Sequence, residues 1–310
     1  MRETLPGSRD KGLPVRFPPS GKDYSLYEGI RYQEHWEDPA EIRQDALERY
    51  IISDMLPASG RRIIDLGAGY GRLAPVYLER FDQAVLYDGS MSLLRDARDD
   101  LGTRALLVAG DLSRLPFKAA SFDCVLTIRV LQHVRDLPGA FGEMRRVVEG
   151  NGSVVFSYHN KRNARRVIRY FDTRKSGNPF SLESAEIGPT LISHHPRRVD
   201  ALMREAGFTT PEYKGTVVVG PLANITDRLG HQAPAGARWA SLMGRLRLAP
   251  WLIGRSFAEG SADAREVDST DDLFECPNCH ADLRSLDQAY ECPGCHRRYP
   301  IDDGIVDFRL

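Results

Sequence analysis

The chain has 310 residues and is nearly neutral, with 42 lysines and arginines against 43 aspartates and glutamates. This balance argues against a protein that binds nucleic acid over a broad surface, because such proteins usually carry a large positive excess. The longest uncharged stretch, residues 215–226, has 12 residues, and a membrane-spanning helix needs roughly 18. The N-terminus also lacks the apolar segment of a secretion signal, so we expect a cytoplasmic protein without a membrane span.

The N-terminal segment differs in composition from the rest of the chain. Residues 1–22 contain many prolines and glycines and few large apolar side chains, which predicts disorder. Apolar residues that recur on one helical face then predict a helix over residues 39–56.

The most informative motif follows the first predicted strand. Residues 63–72 read Ile-Ile-Asp-Leu-Gly-Ala-Gly-Tyr-Gly-Arg, so an apolar run reaches Asp65 and then enters a glycine-rich turn. Glycines allow the backbone to turn sharply and to approach a ligand closely. A dinucleotide-binding loop needs a glycine where this chain has Arg72, and the Asp65 carboxylate would repel a diphosphate but attract a cation. The motif therefore favours a positively charged sulfonium cofactor.

This motif resembles that of the class I S-adenosylmethionine-dependent methyltransferases, and three later segments extend the likeness in the expected order. Residues 84–88 are similar to the second strand of that family, residues 105–112 to the third, and residues 121–134 to the fourth strand and the turn after it. The resemblance covers about residues 40–258. It implies that S-adenosylmethionine is the cofactor.

The resemblance also implies roles for residues at the strand ends. Asp88 would bind both ribose hydroxyls, Asp111 would accept a hydrogen bond from the adenine amino group, and Leu112 would contact the ring. Arg129 departs from the small or polar residue usual at its position and would pair with the methionine carboxylate or an anionic substrate. The predicted cofactor-binding residues are Asp65, Gly67, Ala68, Gly69, Asp88, Gly89, Asp111, Leu112, Ile128 and Arg129.

The remaining elements predict a doubly wound α/β domain. Helices predicted at residues 72–80, 92–100 and 139–148 alternate with the strands, which is typical of a mostly parallel sheet. Three more strands, at residues 152–157, 213–219 and 252–258, and a helix at residues 197–206 complete a Rossmann-like, seven-stranded sheet. We expect the methyltransferase domain to span residues 23–258. Residues 259–272, with six acids against one arginine, are expected to form an acidic linker.

Four cysteines near the C-terminus form two Cys-x-x-Cys pairs that are separated by twelve residues. Each pair lets two sulfurs of a tight turn reach one ion, and two pairs complete a closed, structural zinc site. Two disulfides are the alternative, but no secretion signal accompanies them, and the fifth cysteine, Cys124, falls in a predicted buried strand. The predicted zinc ligands are Cys276, Cys279, Cys292 and Cys295.

The C-terminal residues 273–310 resemble the small zinc-binding activator proteins that partner tRNA, rRNA and release-factor methyltransferases. The likeness rests on the cysteine pairs and on residues 299–308, which read Tyr-Pro-Ile-Asp-Asp-Gly-Ile-Val-Asp-Phe. It implies a zinc ribbon that docks on the catalytic domain of its own chain and stabilises it without taking part in the chemistry.

The sequence offers three candidates for a catalytic base. Methyl transfer from a sulfonium needs no protonation of the leaving group, so a base is required only where the acceptor must lose a proton. His133, Tyr158 and His159 lie near the carboxyl ends of the predicted fourth and fifth strands. A histidine at the position of His133 often packs or caps a turn, and that alternative stays open.

A basic segment follows the fifth predicted strand. Residues 161–175 contain seven basic residues and one acid. On a helix the arginines form one stripe and the apolar residues another. The basic stripe could bind RNA phosphates or an anionic small molecule, or it could be a solvated helix face. Its arginines are Arg162, Arg165, Arg166 and Arg169.

These patterns together predict a methyltransferase that moves a methyl group to an oxygen, nitrogen or carbon nucleophile. Balanced charge favours a small-molecule acceptor. The likeness of the ribbon to activator proteins favours the alternative acceptors, which are RNA or a protein of translation. A further alternative is a regulatory or scaffolding protein that binds the cofactor without turnover.

Overall fold

The computed structural model describes residues 39–173, 177–187, 191–216, 240–260, 265–267 and 269–309. The predicted disorder of residues 1–22 and the last residues of the predicted sixth strand lie outside these ranges. Among the described residues, none of the helices combines the length and the apolar character that crossing a bilayer requires.

Helices and strands alternate along most of the chain. The helices are α1 Pro39–Met55, α2 Ala74–Tyr77, α3 Met91–Leu101, α4 Leu137–Val147, α5 Ala164–Thr173 and α6 Pro196–Glu205. The strands before the C-terminal ribbon are β1 Gly60–Leu66, β2 Phe81–Asp88, β3 Leu106–Ala109, β4 Phe122–Thr127, β5 Val148–His159, β6 Ala185–Ile187, β7 Leu191–Ser193, β8 Glu212–Gly215 and β9 Trp251–Phe257. The ribbon contributes β10 Arg284–Leu286, β11 Ala289–Glu291, β12 Arg298–Asp302 and β13 Ile305–Asp307.

Eleven strands of the described part form one sheet in the order β10-β11-β12-β13-β3-β2-β1-β4-β5-β9-β8. Strands β1 to β5 run parallel to one another, and β9 lies antiparallel between β5 and β8. The seven strands from β3 to β8 are the mostly parallel sheet predicted from the sequence. The chain order reverses between β1 and β4, and ligands of such sheets bind beyond the carboxyl ends of the strands at this point.

The sheet separates two apolar cores, because neighbouring side chains of a strand point to opposite faces. Ile63 packs with α1 and α3 on one face, whereas Ile64 packs with α4 and α6 on the other. Both side chains are fully buried. The uninterrupted apolar pattern of β1 follows from this double cover.

The sheet is wider than the seven strands predicted, because the ribbon continues it. Strand β13 pairs in parallel with β3, and Val306 lies opposite Val108. The amide of Phe308 donates to the carbonyl of Ala109 at 2.7 Å. The sequence gives no local signal for this pairing, since it joins segments far apart in the chain.

Apolar packing also holds the ribbon to the main domain. Phe274 is fully buried, and its ring centroid lies 5.6 Å from that of Phe117 and 5.1 Å from that of Phe308. At the edge of this contact, Arg146 donates to Glu275 at 2.8 Å. The ribbon therefore shares one core with α4 and the sheet, and the domain boundaries at residues 258 and 273 stay a prediction.

Candidate active site

One cavity opens at the carboxyl ends of β1 to β4, where the strand order reverses. All ten predicted cofactor-binding residues border it, together with His133. Their roles toward a cofactor stay a prediction, but the residues do share one hollow. Residues at the cavity that the sequence interpretation missed are Tyr70, Arg72, Leu73, Tyr87, Leu93, Gly110 and Val130.

The glycine-rich loop after β1 forms one wall of the cavity. Gly67 and Gly69 have φ angles of +76° and +56°, in the left-handed region that favours glycine. A Cβ atom on Gly67 would lie 2.2 Å from Cγ2 of Val130, whereas on Gly69 the nearest atom would be 3.7 Å away. Gly67 is thus required by close packing, and Gly69 leaves room beside the loop for a ligand.

Asp88, at the end of β2, is held by backbone donors. Its Oδ2 accepts from the amide of Gly69 at 2.8 Å, and its Oδ1 accepts from the amide of Ser90 at 2.8 Å. A carboxylate oxygen can accept more than one hydrogen bond. A carboxylate fixed in this way at the cavity fits a pair of vicinal hydroxyls.

Asp65, at the end of β1, is 2 % exposed and accepts a hydrogen bond from the hydroxyl of Tyr77 at 3.0 Å. Burial raises the pKa of this carboxyl to about 7, although the Tyr77 hydrogen bond and the nearby Arg72 oppose the shift. A cation placed beside a buried carboxylate would favour its charged form. The Asp65 site therefore fits the positively charged end of a ligand better than an anionic one.

Tyr87 organises the third acid, Asp111. The Tyr87 hydroxyl donates to the carbonyl of Asp111 at 2.9 Å, while Oδ1 of Asp111 accepts from the amide of Ser113 at 2.8 Å. A Cβ atom on Gly110 would lie 2.2 Å from the Tyr87 oxygen, so any larger residue at position 110 would clash with the hydroxyl. Tyr87 immediately precedes Asp88 in the sequence, but no motif indicated that its side chain would contact Asp111.

A buried charge cluster joins helix α1 to the cavity. Glu48 is 1 % exposed and accepts from Nη2 of Arg72 at 2.8 Å and from Nε of Arg129 at 3.1 Å. Arg72 also pairs with Asp45, and the guanidinium of Arg129 lies 4.8 Å from the ring centroid of Trp251. Glu48, which the sequence interpretation missed, would therefore compete with an anionic ligand for the guanidinium of Arg129.

The structure separates the three predicted catalytic residues. His133 borders the cavity, and its Nε2 lies 3.1 Å from the side-chain amide nitrogen of Gln132. Tyr158 is fully buried in the core beneath α4 and α6, where its ring packs against Tyr213 and His194. Burial raises the pKa of Tyr158 far above its usual range. Its position and its pKa argue against Tyr158 as a catalytic base.

His159 points to the opposite face of β5 from Tyr158 and does not border the cavity. Its ring centroid lies 5.2 Å from that of Trp251, the same ring that Arg129 contacts. Burial, with the charge of Arg166 nearby, lowers the pKa of His159 to about 4, so the imidazole is neutral at neutral pH. Among the described residues, its Nδ1 has no hydrogen-bond partner.

The four predicted zinc ligands come together in the ribbon, with their sulfur atoms within 4.8 Å of one another. The Cys276 and Cys295 sulfurs are 3.6 Å apart, and the Cys279 and Cys292 sulfurs are 3.3 Å apart. A disulfide needs about 2.05 Å, so the four are free thiols. Tetrahedral Zn–S bonds of about 2.3 Å place sulfurs nearly 4 Å apart, and the cluster fits that geometry.

The predicted arginine stripe of α5 is not one uniform exposed face. Arg165 and Arg169 are exposed, but Arg166 turns toward the protein, where its Nη1 donates to Oγ of Ser193 at 2.9 Å. Burial lowers the pKa of Arg166. A continuous phosphate-binding row of four arginines therefore lacks support in the arrangement of this helix.

Comparisons with known proteins agree with this geometry. Residues 64–156 match a family model described as a methyltransferase domain. A malonyl-[acyl-carrier protein] O-methyltransferase of Geobacter sulfurreducens is 34 % identical over 125 residues, which cover 38 % of this chain and 46 % of that protein. A ubiquinone/menaquinone biosynthesis C-methyltransferase UbiE of Stenotrophomonas maltophilia is 26 % identical over 194 residues, or 54 % of this chain and 74 % of that protein. The chain thus spans about half the length of the first of these relatives.

A solved structure shares the fold. It is a complex between the Trm112 methyltransferase activator of Haloferax volcanii and a methyltransferase, with a TM-score of 0.53 and 15 % identity over 77 % of this chain and 99 % of that chain. The chain therefore carries a methyltransferase domain that includes residues 64–156, in a Rossmann-like fold, together with a four-cysteine cluster that fits a small zinc ribbon.

Proposed function

We propose that this protein is a methyltransferase that uses S-adenosylmethionine to methylate an oxygen, nitrogen or carbon nucleophile of a small molecule. The observation that carries the proposal is the placement of Asp65, Asp88 and Asp111 around one cavity at the reversal point of the sheet. Three acids with a glycine loop suit a cofactor that has a cationic end and a diol. They suit a diphosphate poorly.

In this proposal each acid contacts a different part of the cofactor. Asp88 would accept hydrogen bonds from the ribose hydroxyls, Asp111 would accept one from the adenine amino group, and Asp65 would face the cationic methionine end. When bound, the cofactor supplies an activated methyl group. The protein contributes the position of the acceptor and the exclusion of water.

In this proposal helix α1 helps to exclude water, because it is tied to the lining of the cavity. Glu48 ties this helix to Arg72 and Arg129, two residues that border the cavity. Of the three predicted bases, His133 has the best position to take a proton from an acceptor, because it borders the same cavity. His159 does not border the cavity and is the weaker candidate.

A small-molecule acceptor is supported by the relatives and by the charge. One relative is named an O-methyltransferase of malonyl-[acyl-carrier protein] and the other a C-methyltransferase of ubiquinone/menaquinone biosynthesis, so the names state an oxygen acceptor and a carbon acceptor. The chain as a whole has a net charge of -1. The fold that the chain shares with the activator complex supports RNA as the alternative acceptor. The arginines of α5 do not support it, because they do not form one exposed face.

We also propose that the ribbon binds one Zn²⁺ through Cys276, Cys279, Cys292 and Cys295 and that this ion is structural. Four thiolates leave no open coordination position for chemistry.

Calorimetric titration with S-adenosylmethionine and, separately, with a nicotinamide dinucleotide tests the cofactor assignment. We expect only the former to bind, and Asp88→Ala to weaken it strongly. Turnover is then measured as release of S-adenosylhomocysteine with malonyl thioesters, phenolic quinone precursors and bulk tRNA as acceptors. Binding without release in any of these would favour the scaffolding alternative, and release with tRNA alone would favour the RNA alternative.

A further inference from the structure

Three segments of the chain meet beyond the carboxyl end of β5. Asn160, which is fully buried, directs its side-chain nitrogen to the carbonyl of Arg247 and donates to it at 2.9 Å. The amide of the next residue, Lys161, donates to the carbonyl of His194 at 3.0 Å. These hydrogen bonds hold residues 160–163, 194–197 and 247–249 together, and we call these three segments the β5 junction.

Positive side chains gather at the β5 junction, and all three segments contribute to them. Burial lowers the pKa of His195, and four positive charges lower it further. In order of their effect, these charges belong to Arg162, Lys161, Arg197 and Arg247. Four cations from three segments therefore lie near one imidazole.

Two acids offset part of this charge. Asp200 forms an ion pair with Arg247, and the charge of Glu183 raises the pKa of Lys161 against the effect of burial. Among the described residues, the other two arginines of the junction form no ion pair with an acid. The junction thus keeps two positive charges that an anionic ligand could neutralise.

His195 adds a hydrogen-bond donor to these charges. It is 4 % exposed and caps helix α6, where its Nδ1 accepts from the amide of Arg197 at 3.2 Å. A neutral imidazole that accepts through Nδ1 carries its proton on Nε2. The N-terminus of a helix also has a partial positive charge, which favours an anion nearby.

We propose that the β5 junction binds one phosphate group of a small molecule through Arg162, His195 and Arg197. Guanidinium groups bind phosphate oxygens with paired, charge-assisted hydrogen bonds, and the imidazole supplies a single further donor. None of these three residues borders the cavity. The site is therefore distinct from the cavity, and the proposal does not depend on the methyl-transfer function.

A nucleic-acid strand fits the β5 junction less well than a single phosphate. Its phosphates repeat along the strand, so tight binding needs a row of cations. Arg166, the next arginine of this region toward the protein, donates instead to Oγ of Ser193 at 2.9 Å. With Asp200 and Glu183 offsetting two further cations, the remaining charge matches one phosphate group.

Calorimetric titration of the full-length chain with inorganic phosphate, at constant ionic strength and against chloride, tests the proposal. We expect saturable binding of phosphate and none of chloride. Arg162→Gln combined with Arg197→Gln should weaken phosphate binding by roughly tenfold or more, because charge-assisted contacts are lost. Arg165→Gln combined with Arg284→Gln is the matched control, since both arginines are exposed and the same charge is removed.

A further variant separates the site from the stability of α6. Asparagine also caps helix N-termini, so His195→Asn removes the Nε2 donor and keeps a cap. It should weaken phosphate binding while thermal unfolding stays near that of the wild type. The same titration with glycerol 3-phosphate distinguishes the two sources of the group: tighter binding than that of inorganic phosphate identifies a phosphate ester as the ligand, and weaker binding identifies the free ion.

Three results would overturn the proposal. The first is a wild type that binds phosphate no better than chloride. The second is a control variant that loses as much affinity as the variant of Arg162 and Arg197, because the effect would then come from the overall charge. The third is binding of a short oligouridine by a protein that binds neither inorganic phosphate nor glycerol 3-phosphate.

Discussion

Glu48 of α1 and Arg129 at the end of β4 form a buried ion pair, with Nε of the arginine 3.1 Å from the carboxylate oxygens. Arg129 has a φ angle of +62°, and its amide donates to Oγ of Ser157 at 2.8 Å. The unusual backbone at Arg129 thus places its guanidinium beneath α1, where Glu48 also holds Arg72. Glu48 thus links α1 to two arginines that border the cavity, beside the pair between Asp45 and Arg72.

Glu48→Gln should therefore destabilise the protein by about 3 kcal/mol, because removing one partner of a buried ion pair leaves its cations uncompensated. We also expect weaker cofactor binding, since α1 loses two of its ion pairs with residues that border the cavity. Chemical unfolding and calorimetric titration measure the two effects. Glu79→Gln is the control, because the Glu79 pair with Arg104 is highly exposed and such pairs contribute little. Equal stability of the two variants would contradict this view of α1.

The elevated pKa of Asp65 predicts how cofactor binding depends on pH. Its folded pKa is about 7, above the ordinary value of 3.8, so the carboxyl is mostly protonated below neutral pH. A cationic ligand binds the ionised form, and its affinity should rise with pH, being roughly tenfold weaker one unit below the pKa than well above it. Stability of the free protein runs the other way: the Asp65 contribution is present at low pH and is lost as the pH rises through 7.

Calorimetric titration between about pH 6 and pH 8 measures this dependence. Asp65→Asn should bind the cofactor weakly and with little change over that range. Asp88→Asn should also bind weakly but keep the rise with pH, because it leaves Asp65 in place. A rise of equal size in Asp65→Asn would assign the titration to another group.

The strands of the sheet and the residues around the cavity could be predicted from local sequence patterns. Apolar runs placed β1 and β2 within a few residues, and the acids and glycines at the strand ends did meet around one cavity. Glu48 was missed because α1 carries no motif that marks one acid among several. The sequence could have shown that Tyr158 and His159 do not share a site. They are neighbours on β5, so their side chains point to opposite faces of the sheet.

Long-range pairing is the part that the sequence could not supply. Strand β13 is three residues long, and its local pattern does not tell whether it pairs within the ribbon or with β3. The apolar stripe of α5 was equally ambiguous, because helical spacing shows that Ile168 and Phe171 share a side but not which side the protein covers.

Gly67 offers a test of the loop geometry. Gly67→Ala should destabilise the protein through two causes, which are the positive φ angle and the 2.2 Å approach of the new Cβ to Val130. Gly102→Ala is the matched control, since Gly102 has a φ angle of +60° and no atom within 4 Å of an added Cβ. The control should lose about 1–3 kcal/mol through its backbone conformation alone, and Gly67→Ala should lose more because the clash adds to the strain.

Val130→Ala then separates clash from strain. In the double variant with Gly67→Ala the contacting methyl group is absent, so the two substitutions should cost less together than the sum of their separate costs. Urea unfolding of the four proteins gives the coupling free energy. Strict additivity would mean that the Val130 contact does not constrain the loop.

Metal removal should affect the whole protein rather than the ribbon alone. The ribbon shares a core with α4 through Phe274 and adds β13 to β3, whose end leads directly to Gly110 and Asp111 at the cavity. Stripping zinc with a chelator, or replacing Cys276 and Cys279 with serine, should lower the melting temperature of the single main transition and weaken cofactor binding. Metal analysis of the untreated protein should find one zinc per chain.

Cys124→Ser is the control for the cysteine substitutions. Cys124 is fully buried in β4 and lies outside the four-cysteine cluster, so its replacement should leave the zinc content unchanged even if it lowers stability. Differential scanning calorimetry decides between a shared and a separate ribbon. Two independent transitions, of which only the smaller responds to the chelator, would show that zinc holds the ribbon without supporting β3, and the coupling to the cavity would then be wrong.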